Sequence, residues 1–204
     1  MAEDFLRAGS KELFLVECLS SGTHLRLVEP TAAEVRSHAA ALAEYYNEPV
    51  NRSLMTNEHE FSAEDVVEHF ETMQGEGGHP FLLFENDTLL GDCDLRHIQD
   101  GTAELAIMVG ARARQAKGYG TRFARMLTAF AFERLRLSTV YASVRPENTG
   151  SLRMFEKLGY VVDTSPKARR YAEEDDDVCL SIDPRAFGEK HPTEHSEPIQ
   201  IRAR

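Results

Sequence analysis

Ile107-Met108-Val109, followed after a short interval by Gln115-Ala116-Lys117-Gly118-Tyr119-Gly120, is the stretch on which the fold turns. Apolar residues end a strand there, and a loop with two glycines follows. Phe123, Leu127, Phe130 and Arg134 then recur at intervals of three and four, with Met126 and Leu135 widening the apolar face, so a helix starts near Tyr119. The first backbone N–H groups of such a helix lack intrahelical partners and lie at the positive end of its dipole. Glycines at 118 and 120 remove the Cβ atoms that would hold phosphate oxygens away. Strand, glycine loop and helix start together read as a pyrophosphate cradle. A glycine pair before a helix is also an ordinary turn. The charge pattern favours the cradle: Leu105 to Phe132 contains no acid, yet holds Arg112, Arg114, Lys117, Arg122 and Arg125. A dinucleotide fingerprint would need a third glycine and a P-loop a Gly-Lys-Ser/Thr, so both are disfavoured.

Outward from this centre, residues 11–18 and 24–28 read as two strands joined by a Ser-Ser-Gly turn. Thr31 with Glu34 forms a capping box that starts a helix running to about Tyr46, and Ser62 with Asp65 starts another carrying Val66, Val67 and Phe70. Pro80–Glu85, Leu89–His97 and Ala103–Val109 are strands of an antiparallel meander, turned at Asn86-Asp87 and preceded by Gly101. Beyond the central helix come a strand at Thr139–Val144 and a short helix at Gly150–Leu158, stopped by Gly159. Closing strands follow at Tyr160–Asp163 and Val178–Ile182, and past Pro184 the polar, unpatterned chain predicts a loose tail. This order implies one α+β domain.

Composition narrows the function classes. At 204 residues, 42% hydrophobic and 28% charged, the chain suits one soluble domain. No apolar run nears the ~20 residues of a membrane span, and MAEDFLRAGS lacks the basic and apolar regions of a secretory signal. Cys18, Cys93 and Cys179 fit neither a disulfide framework nor a zinc cluster, so a cytoplasmic protein with reduced cysteines and no metal is expected. A net charge of −11 argues against nucleic-acid binding, since phosphates are neutralised by Lys and Arg.

The Gln-x-x-Gly-x-Gly pattern after a strand resembles the acyl-coenzyme A signature of the GCN5-related N-acetyltransferase (GNAT) superfamily. Val144-Arg-Pro-Glu-Asn148-Thr-Gly-Ser151, leading into Leu152 through Gly159-Tyr160, is similar to that family's second block. The resemblance covers roughly residues 22–183 and leaves outside it an N-terminal extension (1–21) with one strand and the tail (184–204). Its phrasing looks most like members that acetylate ribosomal proteins at an N-terminal alanine, or spermidine. It implies a GNAT-like fold: a mixed sheet of about six to seven strands, an extra N-terminal strand, and about four flanking helices.

The resemblance further implies acetyl-coenzyme A as co-substrate. Backbone groups of Ile107, Met108 and Val109 would pair with the pantetheine arm, and the amides of Gln115, Ala116, Lys117, Gly118, Tyr119 and Gly120 would hold the pyrophosphate. Asn148 would hydrogen-bond the pantetheine with help from Ser151, and Arg114 and Arg122 are either outer phosphate contacts or solvated arginines. Glu104 stands where many members carry an acid and is the candidate general base; the other reading is a strand-edge charge. Where many members have a thiolate-protonating tyrosine, this chain has Phe155. Tyr160 and Tyr171 are then either substitutes or packing residues.

The acceptor expected from these features is a primary amine, on a small cationic molecule or a protein N-terminus. Glu58, Glu60, Glu64, Asp65, Glu68 and Glu71 form one acidic cluster and Glu173–Asp177 another. They are either an attracting rim or solvated faces. The competing class is an acyl-coenzyme A-binding regulatory module without turnover. A homodimer stays open.

Overall fold

The computed structural model describes residues 12–20, 22–54, 59–192 and 196–204. Along the chain run β1 (Phe14–Ser20), β2 (Thr23–Val28), α1 (Ala32–Asn47), α2 (Pro49–Leu54), α3 (Ala63–Gly75), β3 (His79–Glu85), β4 (Thr88–Gln99) and β5 (Thr102–Val109). Then come a 3-10 turn (Arg112–Arg114), α4 (Tyr119–Glu133), β6 (Thr139–Val144), α5 (Thr149–Leu158), β7 (Val161–Val162), α6 (Pro166–Arg169), β8 (Val178–Ile182), α7 (Pro184–Lys190) and β9 (Ile199–Ala203). All nine strands form one sheet in the order β7-β8-β6-β5-β4-β3-β2-β1-β9. The meander β2 to β5 is antiparallel, and β5 with β6 is parallel.

Both expected capping boxes are present, Thr31 with Glu34 on α1 and Ser62 with Asp65 on α3. Val35, Ala39, Leu42 and Tyr46 of α1 then pack with Val66 and Phe70 of α3 over one face of the sheet. On the other face α4 buries Phe123, Leu127 and Phe130 against Leu25, Leu27, Phe81, Leu95 and Leu105. Each such side chain withdrawn from water contributes about 1.5–3 kcal/mol, so the sheet is clamped between two apolar layers.

Two expectations are corrected. The sheet has nine strands, and seven α-helices accompany it among the described residues, more than the six to seven strands and four helices expected. The tail is not loose: α7 is capped by Asp183 with Pro184 in its first turn, and β9 pairs antiparallel with β1 from Cys18↔Ile199 to Phe14↔Ala203. Ile199-Gln-Ile-Arg-Ala alternates with a period of two, and Ile199 and Ile201 pack onto the core. Arg204 donates to the Glu29 carbonyl at 2.7 Å and meets Glu34 at 2.6 Å. Met1–Lys11, Glu58 and Ser21 of the first turn lie outside the described residues.

Candidate active site

The site begins where β5 and β6 part. They pair only through Thr102↔Thr139, Ala103↔Val140 and Glu104↔Tyr141. Beyond Glu104, residues 105–109 stay on β4 and residues 142–144 on β8. The edge of β5 facing β6 is thereby left open to an extended ligand. Ile107, Met108 and Val109 all line the cavity of about 830 Å³ that fills this gap.

One end of the cavity is the start of α4. Thr31, Ser62, Asn148, Ser165 and Asp183 place side-chain caps on α1, α3, α5, α6 and α7, whereas α4 has Gly118 as N-cap and no side-chain cap. The N–H groups of its first turn are left for an outside acceptor. Gly118 lies at φ 84°, and a Cβ there would meet nothing within 4 Å, so the backbone conformation rather than crowding calls for glycine. At Gly120 a Cβ would come 3.1 Å from Met154 Sδ. Of the residues expected to hold a pyrophosphate, Gln115, Ala116, Gly118 and Gly120 line the cavity, with Thr121 beside them, whereas Lys117 and Tyr119 are not part of its wall.

Several side chains of this loop serve the fold. Gln115 Nε2 donates to the Val109 carbonyl and to Asn51 Oδ1, both at 2.8 Å, and Asn51 Nδ2 donates to the Gly110 carbonyl at 3.2 Å. Tyr119 stacks near Phe123 and its hydroxyl bonds Glu85. Arg114 reaches Glu85 at 2.7 Å and lines the cavity. Arg112 meets Glu48 at 3.6 Å, while Arg122 and Arg125 meet Glu197 at 3.3 and 3.9 Å. Much of the acid-free window therefore answers carboxylates from elsewhere in the chain; Lys117 is exposed and outside the cavity wall. Across the gap Asn148 Oδ1 accepts from the Ser151 N–H at 3.1 Å, which leaves the Asn148 NH₂ as its donor toward a ligand. Asn148 and Ser151 both line the cavity.

The other end is acidic. The β4–β5 register opposes Asp92 to Met108, Asp94 to Ala106 and Arg96 to Glu104, so Asp92, Asp94 and Arg96 share the face covered by α1 and α3. Asp92 and Asp94 are 8% and 5% exposed and line the cavity. Tyr46 donates to Asp92 Oδ2 at 2.9 Å, and Asp92 Oδ1 has no hydrogen-bond partner. Burial pushes the Asp92 carboxyl up to about 7, with the Tyr46 hydrogen bond acting downward and Asp94 upward. Asp94 is pushed up to about 6 by burial, against the pull of Arg96.

Glu104 sits differently from its expected role. It is 2% exposed and absent from the cavity wall among the described residues. Its Oε2 accepts from Arg96 Nε at 3.1 Å and faces His97 Nδ1 at 3.1 Å. Consecutive residues reach one carboxylate because the register shifts between Arg96 and Gln99, with His97 at φ 51°. Burial raises the Glu104 carboxyl, while Arg96 and His97 oppose the shift.

Neither proposed replacement for the missing tyrosine reaches the cavity. Tyr160 is buried and shares a 2.9 Å hydrogen bond with Thr128, and burial drives its hydroxyl far upward. Tyr171 shares a 2.7 Å bond with Thr102 and stacks on Tyr141 beside Cys179. Phe155 lines the cavity and packs on Tyr160. The acidic clusters divide. Glu64, Asp65, Glu68 and Glu71 lie exposed on α3, whereas Glu173 and Asp177 line the cavity. Asp92, Asp94 and Tyr46 escaped the sequence reading, although Asp92-x-Asp94-x-Arg96 places three charges on one face of an otherwise apolar strand.

Comparison with known proteins agrees with this architecture. A probable N-acetyltransferase, YjcK, of Bacillus subtilis (strain 168) is 31% identical over 100 residues, which cover 47% of this chain and 55% of YjcK. An uncharacterized N-acetyltransferase, p20, of Bacillus licheniformis is 27% identical over 48% of this chain and 57% of p20. The chain thus spans about half the length of the curated relatives it matches. In fold it is similar to Mycobacterium smegmatis RimJ in complex with CoA-disulfide, with a TM-score of 0.69 at 18% identity over 84% of this chain and 88% of RimJ. It is also similar to aminoglycoside acetyltransferase AAC(6')-Ib in complex with coenzyme A, with a TM-score of 0.65 at 19% identity over 82% and 98%. The model of the acetyltransferase (GNAT) domain matches residues 24–161, and the chain belongs to that family.

Proposed function

We propose that this protein transfers the acetyl group of acetyl-coenzyme A to a primary amine by direct attack in a ternary complex, the acceptor being a small cationic amine or a protein N-terminus. The observation that carries this reading is a single cavity running from the uncapped start of α4, through the gap between β5 and β6, to the buried carboxyls of β4. An anionic cofactor suits one end and a cationic acceptor the other.

The coenzyme supplies the acetyl group as an activated thioester. Backbone N–H groups from Gln115 to Gly120 would receive the pyrophosphate. The open edge of β5 at Ile107–Val109 would align the pantetheine arm, with Asn148 and Ser151 across the gap. A free N–H on that edge would polarise the acetyl carbonyl.

An alkyl ammonium must lose a proton before its nitrogen can attack. Asp92 suits this: it lines the cavity, its buried Oδ1 has no partner, and burial brings its carboxyl to about 7, where a base works near neutrality. We assign it the general-base role in place of Glu104. Asp92 Oδ1 first takes one ammonium proton and releases it to water. The freed nitrogen then attacks, the nitrogen–carbon bond forms and the carbon–sulfur bond breaks, and the second nitrogen proton passes to Asp92 and from there to water. With Phe155, Tyr160 and Tyr171 unable to donate, the thiolate takes its proton from water. A thiol of pKa about 8.5 leaves tolerably without help.

The test is thiol release from acetyl-coenzyme A with a panel of primary amines, with the product weighed by mass spectrometry. Release that requires amine and yields one acetyl per thiol supports the reading. Bound coenzyme with no release for any amine would make the chain a binding module.

A further inference from the structure

The acceptor end of the cavity holds more carboxylate than one amine needs. Asp177 is 7% exposed and lines the same cavity. Its Oδ2 accepts from the Ser143 hydroxyl at 2.8 Å and from the N–H groups of Glu173 and Glu174 at 3.0 and 3.1 Å. Its Oδ1 has no partner. Arg169 is near, but donates to the backbone carbonyls of Asp177 and Asp175 at 2.7 and 2.6 Å. Glu173 also faces the cavity, 3.5 Å from Arg96.

Three buried carboxylates of this wall keep an oxygen without a hydrogen-bond partner; that of Asp94 lies 3.6 Å from Arg96, and the other two stand on opposite arms of the splay, Asp92 on β4 and Asp177 beside Ser143 of β6. An unpaired buried carboxylate oxygen is costly, and the donors the fold supplies, Tyr46 to Asp92 and Ser143 with the N–H groups of Glu173 and Glu174 to Asp177, all reach the other oxygen of each group. Around them Asp92, Asp94, Glu173 and Asp177 face a single guanidinium, that of Arg96. The other arginines and lysines of the wall, Arg114, Arg145, Arg153 and Lys157, come from the loop before α4 and from the β6–α5 segment, toward the coenzyme end.

We infer that the acceptor carries a second cationic nitrogen, which docks on Asp177 while the reacting amine sits at Asp92. This rests on the acetyltransferase reading above. β4 and β6 flank β5, and since β5 and β6 part beyond Glu104 the strands beside which the two carboxylates stand lie at least two strand spacings apart, about 10 Å. The chemistry recognised is a primary amine carrying an ammonium or guanidinium several bonds away that can reach toward the second carboxylate, as in a linear polyamine or in a peptide whose first residue is basic. The undivided cavity and its buried acids favour the small polyamine.

The experiment measures thiol release by the full chain with saturating acetyl-coenzyme A. An eight-carbon α,ω-diamine is compared with the amino alcohol of the same length, and a lysine-first with a norleucine-first peptide. A tenfold or greater advantage in kcat/KM for the diamine over its neutral counterpart is expected, and Asp177→Asn should bring that ratio close to one, mainly through the diamine's KM. Lysine preference among peptides without diamine preference would assign the same chemistry to a peptide. Equal kcat/KM within both pairs, or a ratio that survives Asp177→Asn, overturns the inference. The comparison on unaltered protein needs no variant to fold. Calorimetric binding of the diamine to the protein saturated with coenzyme A reads the site without turnover, and diamine binding no tighter than the amino alcohol's also overturns it. Coenzyme bound but no thiol released from any amine overturns the functional reading and this inference together; thiol release without dication preference overturns this inference alone.

Discussion

Tyr46 holds one oxygen of Asp92, a residue of the cavity wall, at 2.9 Å and leaves the other buried without a partner. Helix α1 thus fixes the orientation of a strand carboxylate while covering it, and covering it is what raises its pKa. The raised value lies at about 7, against an ordinary 3.8. Turnover at saturating amine should rise with pH up to about 7 and level above it, because the base acts ionised. Asp92→Asn should remove this limb and lower kcat by about 10²–10⁴-fold.

The same shift has a sign in stability. The folded protein binds this proton more tightly than the unfolded chain, so stability falls as pH rises from about 4 through about 7. Asp92→Asn should therefore be on the order of 1–3 kcal/mol more stable than the parent at pH 8, with the difference shrinking at pH 4. Thermal unfolding at the two pH values checks this.

Tyr46→Phe deletes the hydrogen bond that draws the Asp92 carboxyl down. The midpoint of the turnover limb should move to higher pH, with activity largely recovered above it. Loss of the bond should cost about 1 kcal/mol of stability. A uniform loss of kcat at all pH values would leave Tyr46 without a role in tuning Asp92.

Glu104→Gln separates the two base assignments. Arg96 and His97 hold Glu104 inside an ion cluster. The variant should lose about 1–3 kcal/mol of stability through that cluster and keep the pH limb near 7. Disappearance of the limb in Glu104→Gln, with its retention in Asp92→Asn, would return the base to Glu104.

Ending the chain after Asp183 removes α7 and β9. Strand β1 then loses its pairing with β9, and Phe132 loses its ring contact with Phe187 at 5.6 Å. The truncated protein should melt lower and self-associate, as exposed strand edges do. Light scattering with a thermal melt reads both.

The parts of this structure legible in the sequence are those set by local chemistry. Thr31 and Ser62 announce their helices because caps act within four residues, and Gly118 announces the uncapped start of α4 because its φ of 84° favours glycine. Ile199–Ala203 was missed because a five-residue strand has meaning only against β1, some 180 residues earlier. The proposed base moves from Glu104 to Asp92 for a related reason. Glu104 occupies a suggestive place in the chain, yet a bulge at His97 turns both Arg96 and His97 onto it. Asp92 acquires its character from Tyr46 and from burial, both products of packing.

The start of α4 is proposed as the coenzyme cradle. Isothermal titration of the purified protein with acetyl-coenzyme A tests it most directly, with NAD as control and Gly118→Asp alongside. Micromolar binding of acetyl-coenzyme A, none of NAD, and none by the variant is the predicted result, since the aspartate puts negative charge where the pyrophosphate must lie. No binding by the unaltered protein, or undiminished affinity in Gly118→Asp, would contradict the account.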